Sequence, residues 1–267
     1  MQESGYVELG LTGPSAISLP VFPYPFETPV SRQTYDRAAI ASEWTASWQK
    51  RALDIAVSFT ALVILALPMA FIAAIVRLSS PGPAFFVQKR VGRGGALFSI
   101  YKFRSMRASS GSGPGAGPGL TRAGDSRVTA VGRWLRKLKL DELPQLYNIL
   151  RGDMSLIGPR PKLPKYAEAH AMHFRPGVTG AATLAFRHEE DLLSHVHPAQ
   201  LDDFYDRFIR PAKEKIDLEY MARATFVSDL RMIKSTLLAC VARRAHPALA
   251  LGDVLSRDRG ISFQAMN

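Results

Sequence analysis

Two adjacent carboxylates, Asp141 and Glu142, stand directly behind a strip of cations that includes Arg133, Arg136, Lys137 and Lys139. An ionised aspartate can attack phosphorus and form an acyl phosphate, while a neighbouring carboxylate helps to hold a divalent cation. Magnesium held there would lessen the repulsion between the attacking carboxylate and a pyrophosphate. Arg136 and its neighbours favour the charged forms, so both carboxylates are expected to be ionised at neutral pH. Adjacent helix positions point in different directions, so the two do not form a shared-proton pair. A glycosidase pair, with carboxyls on either side of a sugar ring, does not fit either. Taken alone, Asp-Glu at a helix start is more often a cap matched to the helix dipole. The surrounding sequence has to carry the chemical reading.

The elements that would position the pair can be read from spacing. Val128, Val131, Leu135 and Leu138 recur with helical period, with the cations off that stripe. A second short helix places Leu143, Leu146, Tyr147 and Leu150 on one face; Asp141 starts it, Pro144 is tolerable in its first turn, and Gly152 ends it. Upstream, the segments Ala84–Val91 and Ala96–Phe103 have strand composition and are joined by Gly92-Arg93-Gly94-Gly95, which predicts a hairpin. Ser109–Gly119 is of low complexity and is expected to form a flexible loop. From Pro198 to Ala242 the chain is predicted to be helical and amphipathic, interrupted near Pro211. His195 and His197 have a spacing that metals sometimes use, but in a polar loop such a pair is usually solvated. Cys240, in an apolar helical stretch, reads as a core side chain rather than a nucleophile, and a single cysteine excludes an internal disulfide.

Ala56–Val76 contains no charged residue and as a helix would reach roughly 30 Å, enough to cross a bilayer core. Lys50 and Arg51 precede it, and Arg77, Lys89, Arg90 and Arg93 follow it. Cationic flanks on both sides make both ends look cytoplasmic. Pro68, near the middle, lacks an N–H and allows a break. Together these predict a kinked segment that enters one leaflet and returns, in preference to a simple span. The net charge of +11 points to anionic partners. The expected organisation is a disordered extension over 1–46, a re-entrant membrane helix over 47–80, a catalytic domain over 81–242 and a tail over 243–267. The fold class is α+β: a mostly helical monotopic membrane protein with one small β-hairpin.

At this point the residues resemble the bacterial sugar transferases, the small monotopic polyprenyl-phosphate phosphoglycosyltransferases. The resemblance runs from about Gln49 to Leu238 and rests on several blocks. Lys50-Arg51 with Asp54 precedes the membrane helix; Gln88, Arg90, Gly92, Phe98 and Tyr101–Met106 form the basic hairpin; Leu140–Pro161, LDELPQLYNILRGDMSLIGPRP, is the central signature; Arg175–Gly180 follows. The resemblance implies that Asp141 attacks the β-phosphate of a UDP-sugar in a ping-pong, Mg²⁺-dependent reaction, with Glu142 in the same dyad and assisting the metal. Polyprenyl phosphate, typically undecaprenyl phosphate, would then accept the phosphosugar. It further implies that Arg160 binds phosphate, that Arg136, Lys102 and Arg104 assist at the diphosphate or lipid phosphate, and that Arg175 and Arg187 belong to the substrate-binding set. For each cation a headgroup or surface role competes with substrate contact. Asp153 and Asp217 also match family positions, and Asp217 reads as structural. Two departures stand out: Leu67 precedes Pro68 where the family often has Ser, and AATLAFRHEEDLL follows Gly180 in place of the Trp-Ala-Gln-Val-Asn-Gly-Arg of many members.

The implied location is the cytoplasmic face of a bacterial inner membrane, and homo-oligomerisation is left open. A non-catalytic basic adaptor for anionic lipid or polymer is the alternative; retention of both Asp141 and Glu142 argues against it. A soluble nucleic-acid binder would leave the apolar run unexplained, and no recognised nucleic-acid module is present.

Overall fold

The computed structural model describes residues 6–8, 18–20, 41–107, 124–166, 173–187, 189–194, 196–197 and 200–241. The Ser109–Gly119 loop, His195 and the tail from 243 onward lie outside them. The chain divides into two units, 1–33 and 34–267. In the first, within the extension expected to be disordered, β1 (Tyr6–Glu8) pairs antiparallel with β2 (Ser18–Pro20).

The second unit begins with α1 (Glu43–Ala46) and α2 (Trp48–Ser79). Ser47 starts α2 by accepting the Lys50 N–H at 3.1 Å, one of the orphan donors of a helix end. The apolar run lies inside α2, and only 6% of its most apolar window is buried in the protein. Phe59, Val63, Ile64, Leu67 and Phe71 are all exposed along its middle. The helix runs through Pro68 without interruption, so the break expected there is absent from the helical assignment.

Both ends of α2 are docked on the same body of protein. At the first end, the Arg51 guanidinium donates to the carbonyls of Ile149 and Leu150 at 2.6 and 2.9 Å. Asp54 Oδ1 accepts from Ser155 Oγ at 3.1 Å and from the Leu156 N–H at 3.0 Å. Lys50, 5% exposed, pairs with Asp229 at 2.6 Å. At the other end, Val76 is buried with Phe103 and Leu135. There Arg104 donates to the carbonyls of Val76, Ser80 and Pro81 at 3.2, 2.7 and 2.8 Å. A cation on these unsatisfied carbonyls is the usual electrostatic end of a helix.

The hairpin forms as the glycine cluster predicts. β3 (Phe85–Val91) and β4 (Leu97–Phe103) pair antiparallel from Phe85 opposite Phe103 to Val91 opposite Leu97, closed by a 3-10 turn over Arg93–Gly95. α3 (Ala130–Lys137) is capped by Thr129, whose hydroxyl accepts the Gly132 N–H at 2.8 Å. Gly132 is required by close approach: a Cβ there would lie 2.0 Å from the Ser105 carbonyl oxygen.

α4 (Gln145–Arg151) ends at Gly152 in the left-handed conformation, as predicted. Two three-residue strands not read from the sequence follow: β5 (Ser155–Ile157) lies parallel to β6 (Gly177–Thr179). The backbones approach closely just past β5, where a Cβ on Gly177 would sit 2.1 Å from the Gly158 nitrogen.

The C-terminal helices are α5 (Ala181–Ala185), α6 (Glu189–Ser194), α7 (Leu201–Phe204), a π-helical turn over Tyr205–Ile209, α8 (Arg210–Arg223) and α9 (Phe226–Val241). The regular α-helix is interrupted twice, by the π-helical turn that ends just before Pro211 and again at Ala224-Thr225. Pro211 stands in the first turn of α8, where its missing N–H costs little. The main apolar cluster joins Ile157, Phe174 and Ala181 to Tyr220, Met221, Ala224 and Met232. It binds the β5–β6 pair to α5, α8 and α9.

Candidate active site

The Asp141-Glu142 pair sits in a tight reversal between α3 and α4. α3 stops at Leu138, and Lys139 takes a left-handed conformation (φ 57°), uncommon for a residue with a side chain. A 3-10 turn over Leu140–Glu142 follows. Leu140 and Leu143, on either side of the acids, pack against the Val76–Phe103–Leu135 cluster and fix the turn to the end of the membrane helix. Asp141 therefore occupies a turn of its own, and Pro144 is the residue that precedes α4. The expected helix cap does not form here, and ion pairs hold the turn instead.

Glu142 is the clamped member. Its Oε1 accepts from Lys102 Nζ at 2.8 Å and from an Arg160 NH2 at 2.7 Å. Lys102 reaches it from β4, and Arg160 from the turn after β5. Burial disfavours the charged form of Glu142, but Arg160, Lys102 and Lys139 outweigh it and hold the carboxyl well below its ordinary range. Asp141 is different. It is 6% exposed, and its Oδ1 is buried without a partner. Burial first, then the charge of Glu142, push its carboxyl up against the pull of Lys102, Lys139 and Arg136. The expectation that nearby cations hold both acids down is met by Glu142 and not by Asp141.

A desolvated carboxylate with a bare oxygen, beside one neutralised by two cations, suits nucleophilic attack on an anionic phosphate. Buried polar atoms without partners are rare and call for a physical account. Among the described residues they are Asp141 Oδ1, Gln145 Nε2, Arg90 Nε, Glu189 Oε1 and Arg104 Nε. Gln145 follows the dyad by three residues. Arg90 is lowered to about 10 by burial, then by the charge of Arg160. Glu189 is near enough to Arg160 for its charge to raise that guanidinium. Four of the five atoms thus belong to the dyad's surroundings.

The structure brings Asp141, Glu142, Lys102 and Arg160 together. Arg136 is adjacent, its charge acting on Asp141, while its guanidinium pairs with Glu190. Arg104 caps α2, as described above. Arg175 Nε donates to the Gly152 carbonyl at 2.8 Å, at the far end of α4. Arg187 donates to the Ala239 carbonyl at 2.6 Å. Its neighbour there, Cys240, is a half-buried thiol pushed up by burial and touched by the charges of Lys139 and Glu142, so Arg187 stands at the rim of the site.

Asp217 is structural, as expected: Oδ1 accepts the Ala182 N–H at 2.9 Å, and burial pushes its carboxyl to about 6. Asp153 accepts from Asn148 at 3.3 Å and pairs with Arg151 at 3.4 Å. His197 is exposed.

Arg90, Glu189 and Lys213 were not singled out as site residues in the sequence. Arg90 had a signal in the basic hairpin block. The other two had none, because α6 and α8 are brought to the site by ion pairs between residues distant in sequence, Glu190 with Arg136 and Glu214 with Lys162.

A family model described as bacterial sugar transferase matches residues 45–243. The exopolysaccharide production protein PSS of Rhizobium leguminosarum bv. phaseoli is 36% identical over 213 residues, covering 73% of this chain and 96% of that protein. An undecaprenyl-phosphate glucose phosphotransferase of Komagataeibacter xylinus is 35% identical over 210 residues, covering 73% of this chain and 36% of that protein. A UDP-N-acetylgalactosamine-undecaprenyl-phosphate N-acetylgalactosaminephosphotransferase of Aeromonas hydrophila is 42% identical over 153 residues, 53% of this chain and 35% of that protein. The chain spans about a third of the length of the last two and nearly all of the Rhizobium protein. With three-quarters of its length inside the family match, the chain belongs to the bacterial sugar transferase family.

Proposed function

We propose that the chain moves a sugar 1-phosphate from a UDP-sugar to a polyprenyl phosphate, undecaprenyl phosphate in a bacterial membrane, with Asp141 as nucleophile. The observation that carries this reading is the bare, buried Oδ1 of Asp141 beside a Glu142 already matched by Lys102 and Arg160. An Asp141 oxygen bonds to the β-phosphorus, the bond from that phosphorus to the bridging oxygen breaks, and UMP departs with the electron pair. An oxygen of the polyprenyl phosphate then attacks the same phosphorus. The aspartyl bond breaks, returning the carboxylate and giving the lipid diphosphate sugar. Lys102 and Arg160 hold the phosphate oxygens, and Arg136 adds positive charge on the α3 side.

The donor set fits magnesium. Among the described residues no group of three or more His, Cys, Asp or Glu gathers to form a protein cage. Magnesium ordinarily takes one or two carboxylates and completes its shell with phosphate and water. Asp141 and Glu142 would supply those carboxylates, and bound magnesium would offset the charge of the diphosphate.

The docking of α2 supports a monotopic placement. Asp54 and Val76, about 33 Å apart along a straight helix, both touch one polar body, which a perpendicular span would separate by the membrane thickness. The apolar middle therefore enters the leaflet while both ends stay at the cytoplasmic face, where cationic flanks favour it. This would be the first membrane step of polysaccharide or glycoconjugate assembly. A basic adaptor for lipid fits less well, because Lys102, Arg160 and Arg136 are paired with acids of the same chain.

The test is to incubate the membrane-bound protein with a panel of UDP-sugars and Mg²⁺, following UMP and the mass of the Asp141 peptide. UMP release with a phosphosugar adduct is expected, and Asp141→Asn should remove both. Undiminished UMP release by Asp141→Asn would end the proposal. For the membrane placement, cysteines at Trp48 and Ser80 should label from the same side, and labelling from opposite sides would establish a span.

A further inference from the structure

Next to the dyad lies a second polar group that the proposed chemistry does not use. Glu189 opens α6, its N–H bonded to the Phe186 carbonyl at 3.0 Å. Glu189 Oε2 accepts from Lys213 Nζ at 2.6 Å, whereas its Oε1 is sealed from solvent without a partner. The Lys213 ammonium stands over the rings of Phe186 and Tyr205, at 5.5 and 5.6 Å. Tyr205 begins the π-helical turn, a feature that often marks functional sites. Ion pairs bring the group to the site's cations: Glu190, next in α6, pairs with Arg136, and Glu214, next to Lys213 in α8, pairs with Lys162, two residues past Arg160.

A carboxylate oxygen with no partner is a strong acceptor that repels phosphate and gains nothing from a polyprenyl chain. Its natural complement on the donor is a hydroxyl. With the β-phosphate at Asp141, the sugar is bonded directly to that phosphate, while the ribose stands one phosphate further away. The sugar's hydroxyls are therefore the nearer ones.

We infer that Glu189, fixed by Lys213 and walled by Phe186 and Tyr205, forms the subsite for the donor's sugar and reads one of its hydroxyls through Oε1. This rests on the phosphosugar-transfer reading. A site built to bond a hydroxyl leaves a buried acceptor unpaired when the hydroxyl is missing, which is how such sites discriminate strongly.

The test uses the full chain in membranes with Mg²⁺, following UMP. UDP-glucose, UDP-galactose and their N-acetylated counterparts identify the preferred donor. Its 3-, 4- and 6-deoxy forms and its 2′-deoxyuridine form are then compared for wild type, Glu189→Ala and Glu189→Gln. Wild type should lose about tenfold or more in kcat/KM on one deoxy sugar. Glu189→Ala should lose as much on the parent donor and nothing further on that deoxy sugar, with Glu189→Gln between the two. The ratio between donors is taken on one preparation, so a folding defect, which lowers both alike, cannot imitate the result. An equal loss on every donor, or a preference relieved only by the 2′-deoxyuridine form, overturns the assignment. Absence of UMP release by wild type from every donor would instead remove the parent reading, and this one with it.

Discussion

Replacing Asp229 by Asn tests how the membrane helix is tied to the rest of the chain. Asp229 is 1% exposed and accepts from three side chains: Lys50 Nζ at 2.6 Å, Tyr220 OH at 2.7 Å and Trp44 Nε1 at 3.0 Å. The asparagine keeps one acceptor oxygen but leaves the Lys50 ammonium, 5% exposed, without its bonded counter-charge. Breaking a buried pair from one side costs about 3–5 kcal/mol, and the Asp54 carboxylate one turn along α2 places this case near the lower end. For a domain of this size that corresponds to a fall of roughly 6–12 °C in melting temperature. Lys50→Met should cost somewhat less, because Tyr220 and Trp44 still donate to Asp229. The double variant should recover about 2 kcal/mol of the summed losses, since no uncompensated charge remains buried. The assay is thermal unfolding in detergent micelles, followed by tryptophan fluorescence and near-ultraviolet circular dichroism. Additive losses in the double variant would refute the argument, for the two residues would then contribute independently of each other.

The acid limb of UMP release should lie above the ordinary aspartate range of about 4, because burial and Glu142 raise Asp141 and the nucleophile must be ionised. Activity should fall as pH falls through that raised value, and Glu142→Gln, though slower, should move the limb to lower pH. Asp217 should make stability fall as pH rises. Its folded value, about 6, exceeds the ordinary 3.8, so between those limits the folded chain binds more protons than the unfolded one. The difference is worth roughly 3 kcal/mol. Asp217→Asn, which keeps an acceptor for Ala182, should gain stability over wild type above pH 6 and lose that advantage below about pH 4, as read by melting temperature against pH. Arg104→Ala should lower stability by about 2–3 kcal/mol through loss of charged bonds to the α2 terminus, while leaving KM for the donor unchanged. A raised KM with an unaltered melting temperature would return Arg104 to the phosphate site.

Much of the framework could be read locally. The hairpin is fixed by a glycine cluster between two seven-residue strands, and α3 by an apolar period with a threonine cap, signals contained within one element. β5 and β6 gave no such signal. Each is three residues long, and what holds them is a close backbone approach at Gly158 and Gly177, visible only once both segments are placed. The Lys50–Asp229 pair spans 179 positions, a separation over which spacing carries no information. Pro68 leaves α2 a continuous helix, because a proline removes one hydrogen bond but does not compel a gap in a long helix. Pro211 marks the start of α8 directly after the π-helical turn, in a first turn where its missing N–H costs little.

At the candidate site the limit was one of allocation. With 34 lysines and arginines against 23 acids, most arrangements of this chain leave cations in excess, and no cation's type reveals its partner. The dyad was legible because its members are adjacent. Lys102 and Arg104 are two positions apart on or just beyond β4, where alternation sends them to the same face, so nothing in spacing separates their roles. The fold separates them. The turn after α3 brings Glu142 against Lys102, while the end of α2 brings free carbonyls against Arg104. A cation meeting a carboxylate beside a bare nucleophile can exchange that partner for phosphate. One meeting helix-end carbonyls cannot leave without unsatisfying them. The same distinction divides Arg160, at the dyad, from Arg175, at the Gly152 carbonyl, although both fall in strongly matched blocks. Under the proposed chemistry the cations placed to meet phosphate are those paired with the dyad, Lys102 and Arg160, whereas Lys213, paired with Glu189, holds that carboxylate in place.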